Sequence, residues 1–484
     1  MMKKIFLAIY IIMSAFFVAC NEDAGFSSAP DLRLEFSCDT VAFDTLFTDL
    51  SSPAAMLVVH NRNRNSLRIS DIRLASGGAS GFNVLVDGEP GNVVRDIEIR
   101  AKDSMYVLAS VKLEKNGFDA PYMVRDSLLF TLESGVGQHV LLLAYGRDVT
   151  FMHAPRIAAD TTLAAGHYVI YDSLVVEPSA SLSLQAGTVL YFHDNAFMKV
   201  EGRLSASGEQ GNPVVFRGDR TDRMFSYLPY DRVPGQWGGV RFTAASNGNL
   251  LRYCDIHSAK YGVLVEPGDT ALQRLDVESS RIYNFTGNAM ELHMAHVAVN
   301  NSLIANAEGN CVKVVGGCVD FVHCTIANFY VWKQRDVALA LHNSFEGVPA
   351  PLRHASFSNC IVAGTKDDEV MGYFTQYGDT VPNSVNYFFE NSLLNTVATD
   401  DSCFVGVVFD RPDSLSFAKA QFRLIDNDEF KYDFHLSEMS AARGIASEKY
   451  AALLPFDADG MPRTAGNVDA GCFQYVVGDS VVAR

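Results

Sequence analysis

Short segments in the second half of the chain repeat one alternation of small, apolar and polar positions. YCDIHS (253–258), SSRIYN (279–284), NSLIAN (301–306), HCTIAN (323–328), NCIVAG (359–364) and NSLLNT (391–396) lie on a single register. A Ser or Cys comes first, at Cys254, Ser280, Ser302, Cys324, Cys360 and Ser392. Two residues on stands an aliphatic side chain: Ile256, Ile282, Ile304, Ile326, Val362 and Leu394. Two further on, the middle three copies carry Asn284, Asn306 and Asn328. This alternation predicts strands, with Ser302, Ile304 and Asn306 on one face and Leu303 and Ala305 on the other. The Ser/Cys positions are 26, 22, 22, 36 and 32 residues apart. A unit near 22 residues fits one coil of a parallel β-solenoid, where coils stack about 4.8 Å apart and bury their apolar faces together. Each Asn is expected at a turn, bonded to backbone or to its counterpart one coil away. Cys at the small position reads as a compact buried filler, with metal or redox chemistry as the alternative.

Residues 31–150 have a different texture. AMLVVHN (55–61), LRISDIRL (67–74), FNVLV (82–86), DIEIRA (96–101), SMYVLASVKL (104–113), DSLLFTL (126–132) and HVLLLAYG (139–146) are separated by Gly, Asn and Asp turns. That spacing predicts an antiparallel β-sandwich. Asn61 to Ile69 and Asp126 to Phe130 resemble the wording of the immunoglobulin-like modules of bacterial surface proteins, without a Cys–Trp–Cys core. The resemblance implies a spacer or docking role.

At the start, Lys3 and Lys4 precede an apolar run from Ile5 to Val18, the length of a signal-peptide core and short for a membrane span. Phe17-Val18-Ala19-Cys20 resembles a bacterial lipobox, which implies lipidation of Cys20 as the mature N-terminus. The alternative is an ordinary secretory signal. Asn21-Glu22-Asp23 resembles the acidic tag of some surface-displayed Bacteroidetes lipoproteins. The expected organisation is a signal peptide (1–19), a tether (20–30), the sandwich (31–150), the solenoid (151–477) and a tail (478–484).

Removing residues 1–19 takes away two Lys and no acid, moving the net charge from −17 to −19. Such a chain repels nucleic acid, which excludes a basic nucleic-acid groove. Hydrophobic residues make up 48% and charged ones 20%, so a sizeable core is expected. The Cys residues are scattered and form no CxxC; Cys311 with Cys318, or Cys324 with Cys360, are the pairs a disulfide could join.

Three motifs in order resemble right-handed parallel β-helix proteins of pectate-lyase type. They are GTVLYFHDNAFMKVEGRLSASGEQGNPVVFRGD (187–219), GQWGGVRFTAASNGNLLRYCDIHSAKYGVLV (235–265) and the tail segments DFHLSEMSAARGIA (433–446) and FDADGMPRTAGNVDAGCFQY (456–475). The resemblance covers about residues 155–477 and implies an all-β chain: a right-handed parallel β-helix preceded by a small antiparallel β-sandwich. It also implies that 433–475 is the terminal coil. Gly238 and Gly239 allow a sharp turn beside Trp237, which is expected to cover the open end of the core. Arg463 is expected to bond the acids Asp457, Asp459 and Asp469; a Ca²⁺ site there is the alternative, and no other cofactor is expected.

β-Helices carry polysaccharide lyases and hydrolases, whose chemistry needs carboxylates converging in one groove. The polygalacturonase sequence Asn-Thr-Asp, Asp-Asp, Gly-His-Gly, Arg-Ile-Lys is absent. Asp367-Asp368 and Asp400-Asp401 follow Arg281-Ile282-Tyr283, in the reverse order, and read first as solvated turns. Asp367, Asp368 and Asp400 are therefore weak catalytic candidates, and Lys366 to Glu369 is the best candidate acid cluster. His293 and His296 would suit a metal on a helix, but a strand separates them. No metal site is assigned.

The surplus of 14 and 10 residues in the last two spacings must leave the coil as loops, within Val331 to His354 and Thr365 to Tyr387. Trp332, Lys333, Arg335, Tyr373 and Tyr377 in these loops are expected to share one face, a platform for an acidic sugar. The expected protein is an outer-membrane, lipid-anchored, surface-facing lipoprotein that binds a glycan or an envelope protein without catalysis, or serves structurally. The alternative is a polysaccharide lyase or glycoside hydrolase acting on an acidic polysaccharide.

Overall fold

The computed structural model describes residues 25–118, 120–225, 227–377, 384–410 and 420–477. The lipobox with Cys20 and the tail 478–484 lie outside them. The chain divides into two compact units, Met1–Asp148 and Val149–Arg484.

The first unit is a β-sandwich of two five-stranded sheets. One is antiparallel and pairs Ala55–His60 and Phe82–Val86 with Ser104–Val111. The other runs through Gly137–Arg147, Tyr122–Leu132, Leu67–Leu74 and Val93–Ile99, and gains the strand Thr40–Phe47, which pairs in parallel with Gly137–Arg147. Alternating residues meet in one core that includes Val59, Phe82, Val107, Ile69, Phe130 and Leu142. Asn61 and Asp126 brace this core. Asn61 Nδ2 donates to the carbonyls of Asn65, Ile99 and Arg100. Asp126 accepts from the N–H groups of Ser76 and Ser127 and from the hydroxyls of Ser76 and Ser80. Burial alone would raise the Asp126 pKa, but these bonds hold it below the ordinary value.

The second unit is a parallel β-helix. Each middle coil contributes one strand to an eleven-stranded sheet and two to a seventeen-stranded sheet, making three walls. Met290–Asn300 shows the second corner: it bends at Met294 (φ 39°), pairing first with Val263–Val265 and then with Gln273–Glu278. In the next coil Gly316 (φ 66°) stands at the same corner, where a Cβ would come within 2.5 Å of the Ala350 carbonyl oxygen.

The expected register is the observed one. Ile256 opposes Ile282, Ile282 opposes Ile304, Ile304 opposes Ile326, Ile326 opposes Val362, and Val362 opposes Leu394. The Ser/Cys ladder is a hydrogen-bonded spine. Ser280 Oγ accepts from the Cys254 N–H and donates to the Glu278 and Leu251 carbonyls. Ser392 Oγ repeats this with the Cys360 N–H and the Glu390 and Phe357 carbonyls. Cys324 and Cys360 put thiols where Ser puts hydroxyls, each donating to two carbonyls. Cys311, Cys318, Cys324 and Cys360 are all free. Asn306 Oδ1 accepts from the Phe329 N–H, and Asn328 Oδ1 from the Ala307 N–H, so these Asn side chains bond backbone of the adjoining coil.

A second ladder lies inside. Phe321, Phe357, Phe389 and Phe404 stack in register, with centroids 5.0, 4.9 and 5.1 Å apart. Trp237 sits within the core, not at an open end. It is fully buried, stacks on Phe192 at 4.4 Å, and donates Nε1–H to the His257 carbonyl. Coils continue on both sides of it, so apolar packing was its only place. Gly239 (φ 108°) makes the turn beside it; a Cβ there would lie 2.1 Å from the Tyr261 carbonyl oxygen.

The segment 420–477 is not a terminal coil. Its strands Phe422–Asp426 and Lys431–Leu436 pair with each other. It folds back over the outer face of the eleven-stranded sheet, where Phe422, Phe434, Leu436, Cys472 and Phe473 pack on Leu303, Ala305, Ala327, Ile361, Ala363 and Leu393. The reason is in those outward residues: Leu303–Ala307 is buried at every position, and its run Leu303-Ile304-Ala305 is apolar on both faces and needs cover. Arg463 donates to the Leu454, Phe456 and Gly471 carbonyls rather than to the acids. Asp457 is taken by the N–H groups of Asp459, Met461 and Gln474, and Asp459 by Arg281 and His435.

Candidate functional site

The surplus residues leave the coil at two different corners. In the first long coil, residues 329–338 exit where the eleven-stranded sheet turns into the next wall. The strand Leu339–His342 then returns to that wall, and Ser344–Phe345 pairs with Val348–Pro349 as a hairpin at the second corner. In the next coil the larger excursion, after Val370–Tyr373, is at the second corner. A strand therefore separates the stretch bearing Trp332, Lys333 and Arg335 from Tyr373 and Tyr377, and the expected shared face is divided.

At the second corner the adjacency does form. Tyr373 is exposed and stacks on His342 at 4.6 Å, while Asn343 and Thr375 exchange two hydrogen bonds of 2.8 Å. Tyr377 lies half-buried at the edge of the described residues. His293 is turned to Glu291 and Phe345 on one wall, and the bend at Met294 puts His296 on the next, so they do not form a chelating pair.

At the first corner, the cations expected to meet a ligand are occupied. Arg335 is buried and paired with the fully buried Glu369, Nη2 to Oε1 at 2.5 Å. Glu369 also accepts from the Lys366 and Ala338 N–H groups, so this acid staples two loops and has no lone pair to offer. Lys333 lies 3.3 Å from Glu308. Asp368 accepts from the Val370 N–H and the Thr396 hydroxyl. Asp367 and Asp400 are exposed, with no ion pair among the described residues. Among those residues no group of three or more His, Cys, Asp or Glu is placed to hold a metal ion.

Trp332 itself lies in a shallow cleft of about 40 Å³ that opens to solvent. Tyr283, Asn284 and Asn306 form its floor on the eleven-stranded sheet. Tyr330 and Trp332 come from the first-corner loop, Phe430 and Tyr432 from the C-terminal hairpin, and Arg232 from the insertion 219–238. Burial raises the pKa of Tyr283, Tyr330 and Tyr432, so the three phenols stay protonated. Among the described residues the Arg232 guanidinium has no ion pair or hydrogen bond. Sequence reasoning missed Arg232, Phe430 and Tyr432, which lie about a hundred residues either side of Trp332.

Charged groups converge beside Tyr283 on the adjoining coil. Asp231 is 2.9 Å from Arg217 and 3.7 Å from His257, and Asp255 is 3.9 Å from His257. His257 stacks on Tyr283 at 5.1 Å and is itself buried. Here, rather than at Asp367, Asp368 and Asp400, carboxylates meet an Arg on the solenoid face.

Fold and site together define an all-β chain with a parallel β-helix and an aromatic cleft on its covered wall. No family model matches the chain, and no curated protein matches it. Among solved structures, the PapD-like domain 7 of human CEP192 aligns at 12% identity over 25% of this chain and 90% of its own, with a TM-score of 0.18. A protein of unknown function from Porphyromonas gingivalis aligns at 16% identity over 26% of this chain, with a TM-score of 0.19; the alignment spans 60% of that protein, less than two thirds. A mutant of the periplasmic alginate epimerase AlgG aligns at 8% identity over 56% of this chain and 84% of its own, with a TM-score of 0.26. At such scores the alignments bear on neither ligand nor reaction.

Proposed function

We propose that this protein is a lipoprotein of the cell envelope, anchored through Cys20, that binds an acidic saccharide without catalysis in the Trp332 cleft. The observation that carries the reading is the cleft's composition: five aromatic rings around one guanidinium that has no ion pair or hydrogen bond among the described residues. Aromatic faces pack on the C–H faces of sugars, and a guanidinium takes a carboxylate with two parallel bonds. The sandwich, read as an immunoglobulin-like spacer, would hold the cleft away from the membrane. Titration with an oligouronate hexasaccharide and its carboxyl-reduced neutral form tests the ligand; absence of binding by either removes the reading. Cys20→Ala should move the protein from the membrane to the soluble fraction, and retention in the membrane would remove the anchor.

One observation favours the enzyme alternative, the meeting of Asp231 and Asp255 on His257. His257 is buried beside Tyr283 on the adjoining coil and does not line the cleft. Appearance of unsaturated or reducing products that vanish in Asp231→Asn would reverse this preference.

A further inference from the structure

The face that Trp332 offers to the cleft already has an occupant. Phe430 lies on it, with centroids 4.4 Å apart and planes 23° apart. Phe430 reaches this place from a left-handed backbone, φ 53°, which a bulky side chain enters only against steric strain. It ends the connection between the paired strands Phe422–Asp426 and Lys431–Leu436. Those strands are fixed to the solenoid: Phe422, Phe434 and Leu436 are buried in the covering core, and His435 bonds Asp459 at 2.8 Å. The tip is held mainly to itself. Asp428 and Glu429 are exposed and donate their N–H groups to Asp426 Oδ1 at 3.0 Å, and Lys431 pairs with Glu429.

We infer that this tip is a gate: Phe430 holds the Trp332 face in the free protein and yields it to a saccharide ring, residues 427–430 pivoting on the anchored strands. The inference rests on the cleft reading above. Backbone strain at Phe430 offsets part of what stacking gains, which keeps the closed state only weakly favoured and lets a ligand shift the population. A sugar ring then replaces the phenyl ring on the same indole face, so the ligand gains a stacking partner without rebuilding the floor of Tyr283 and Asn284.

The test compares the full chain with Phe430→Ala, using whichever hexasaccharide form binds, oligouronate or carboxyl-reduced. The expected result is tighter binding by Phe430→Ala, two- to tenfold, because the competitor for the indole face is gone. Weaker binding would overturn the gate and make Phe430 a wall of the site. A second readout needs no ligand. Trp332 is half-buried and Trp237 is fully buried, so their Nε1–H resonances can be told apart. Relaxation dispersion on the Trp332 signal should report microsecond-to-millisecond exchange in the wild type and lose it in Phe430→Ala. A flat wild-type profile overturns the gate. If neither hexasaccharide binds, the cleft reading fails, and the dispersion profile alone decides whether the tip opens.

Discussion

The outer face of the eleven-stranded sheet has two halves that solve different problems. Toward the N-terminal side its outward residues are polar or aromatic: Tyr191 beside Arg217, Asp255 beside Arg281, His257 beside Tyr283. From Leu303 onward they are apolar, save Thr325, which accepts from the Cys472 N–H, and they lie under the C-terminal segment. The change occurs between Arg281–Phe285 and Leu303–Ala307, adjacent strands of the same repeat. The cleft sits on that seam, with Tyr283 from the polar half and Phe430 and Tyr432 from the cover. A site at the edge of a cover takes rings from both parties without either having to expose a large apolar surface alone. The difference teaches that the inward face of a coil keeps one chemistry for stacking, while the outward face is free to change.

That contrast can be broken at several points. The largest effect is expected inside. Ile304→Asp puts an unpaired carboxylate among Ile282, Ile326 and their neighbours and should cost about 3–5 kcal/mol in unfolding free energy; an unchanged melting profile would contradict the register. Glu369→Ala leaves Arg335 buried without its partner and should cost about 3 kcal/mol, read as a lower denaturant midpoint and loosening of residues 329–338 in hydrogen exchange. Binding without that loosening would show that the staple is dispensable to the cleft.

The cover also has a pH signature. Burial, with Arg463 nearby, lowers the His323 pKa to about 3. The unfolded chain takes up a proton below about 6.5 that the folded chain refuses, so this residue removes stability as pH falls from there toward 3, by on the order of 1 kcal/mol per pH unit. His435 works in the opposite sense. Burial alone would lower its pKa, but the bonds to Asp433 and Asp459 raise it to about 9. Its contribution is complete below about 6.5 and is lost as pH rises through 9. The cover should therefore be firmest near neutral pH, and His435→Gln should flatten the alkaline limb while leaving the acid limb in place. An acid limb that disappears in His435→Gln would mean that the signs are assigned to the wrong histidine.

Much of the interior was legible in the chain. The Ser/Cys and aliphatic positions specify the register because every coil must present the same shape to the next. One further regularity was there to be read. The residue before each Ser or Cys has positive φ in all six copies: Tyr253, Ser279, Asn301, His323, Asn359 and Asn391. Three of these are Asn, the residue that most readily takes that conformation after Gly. Asn301, Asn359 and Asn391 then donate to the Phe456, Ser447 and Ile445 carbonyls and tie down the cover. The unbroken apolar run Leu303-Ile304-Ala305 was the other signal, since a strand with one wet face should alternate. The cleft was harder to foresee. Spacing counts how many residues leave a coil, not the corner at which they leave, so Trp332 and Tyr373 looked adjacent. Arg232 and Phe430 reach Trp332 only through the stacking of distant coils and the fold-back of the C-terminal segment.

The most direct test of the seam as a binding site is calorimetric titration of the oligouronate hexasaccharide into the wild type, Trp332→Ala and Arg232→Met. The account predicts that Trp332→Ala weakens binding about tenfold, a loss of ~1–2 kcal/mol, with unchanged melting. It also predicts that Arg232→Met binds the acidic form no better than the neutral one. Equal affinity in all three proteins would contradict it.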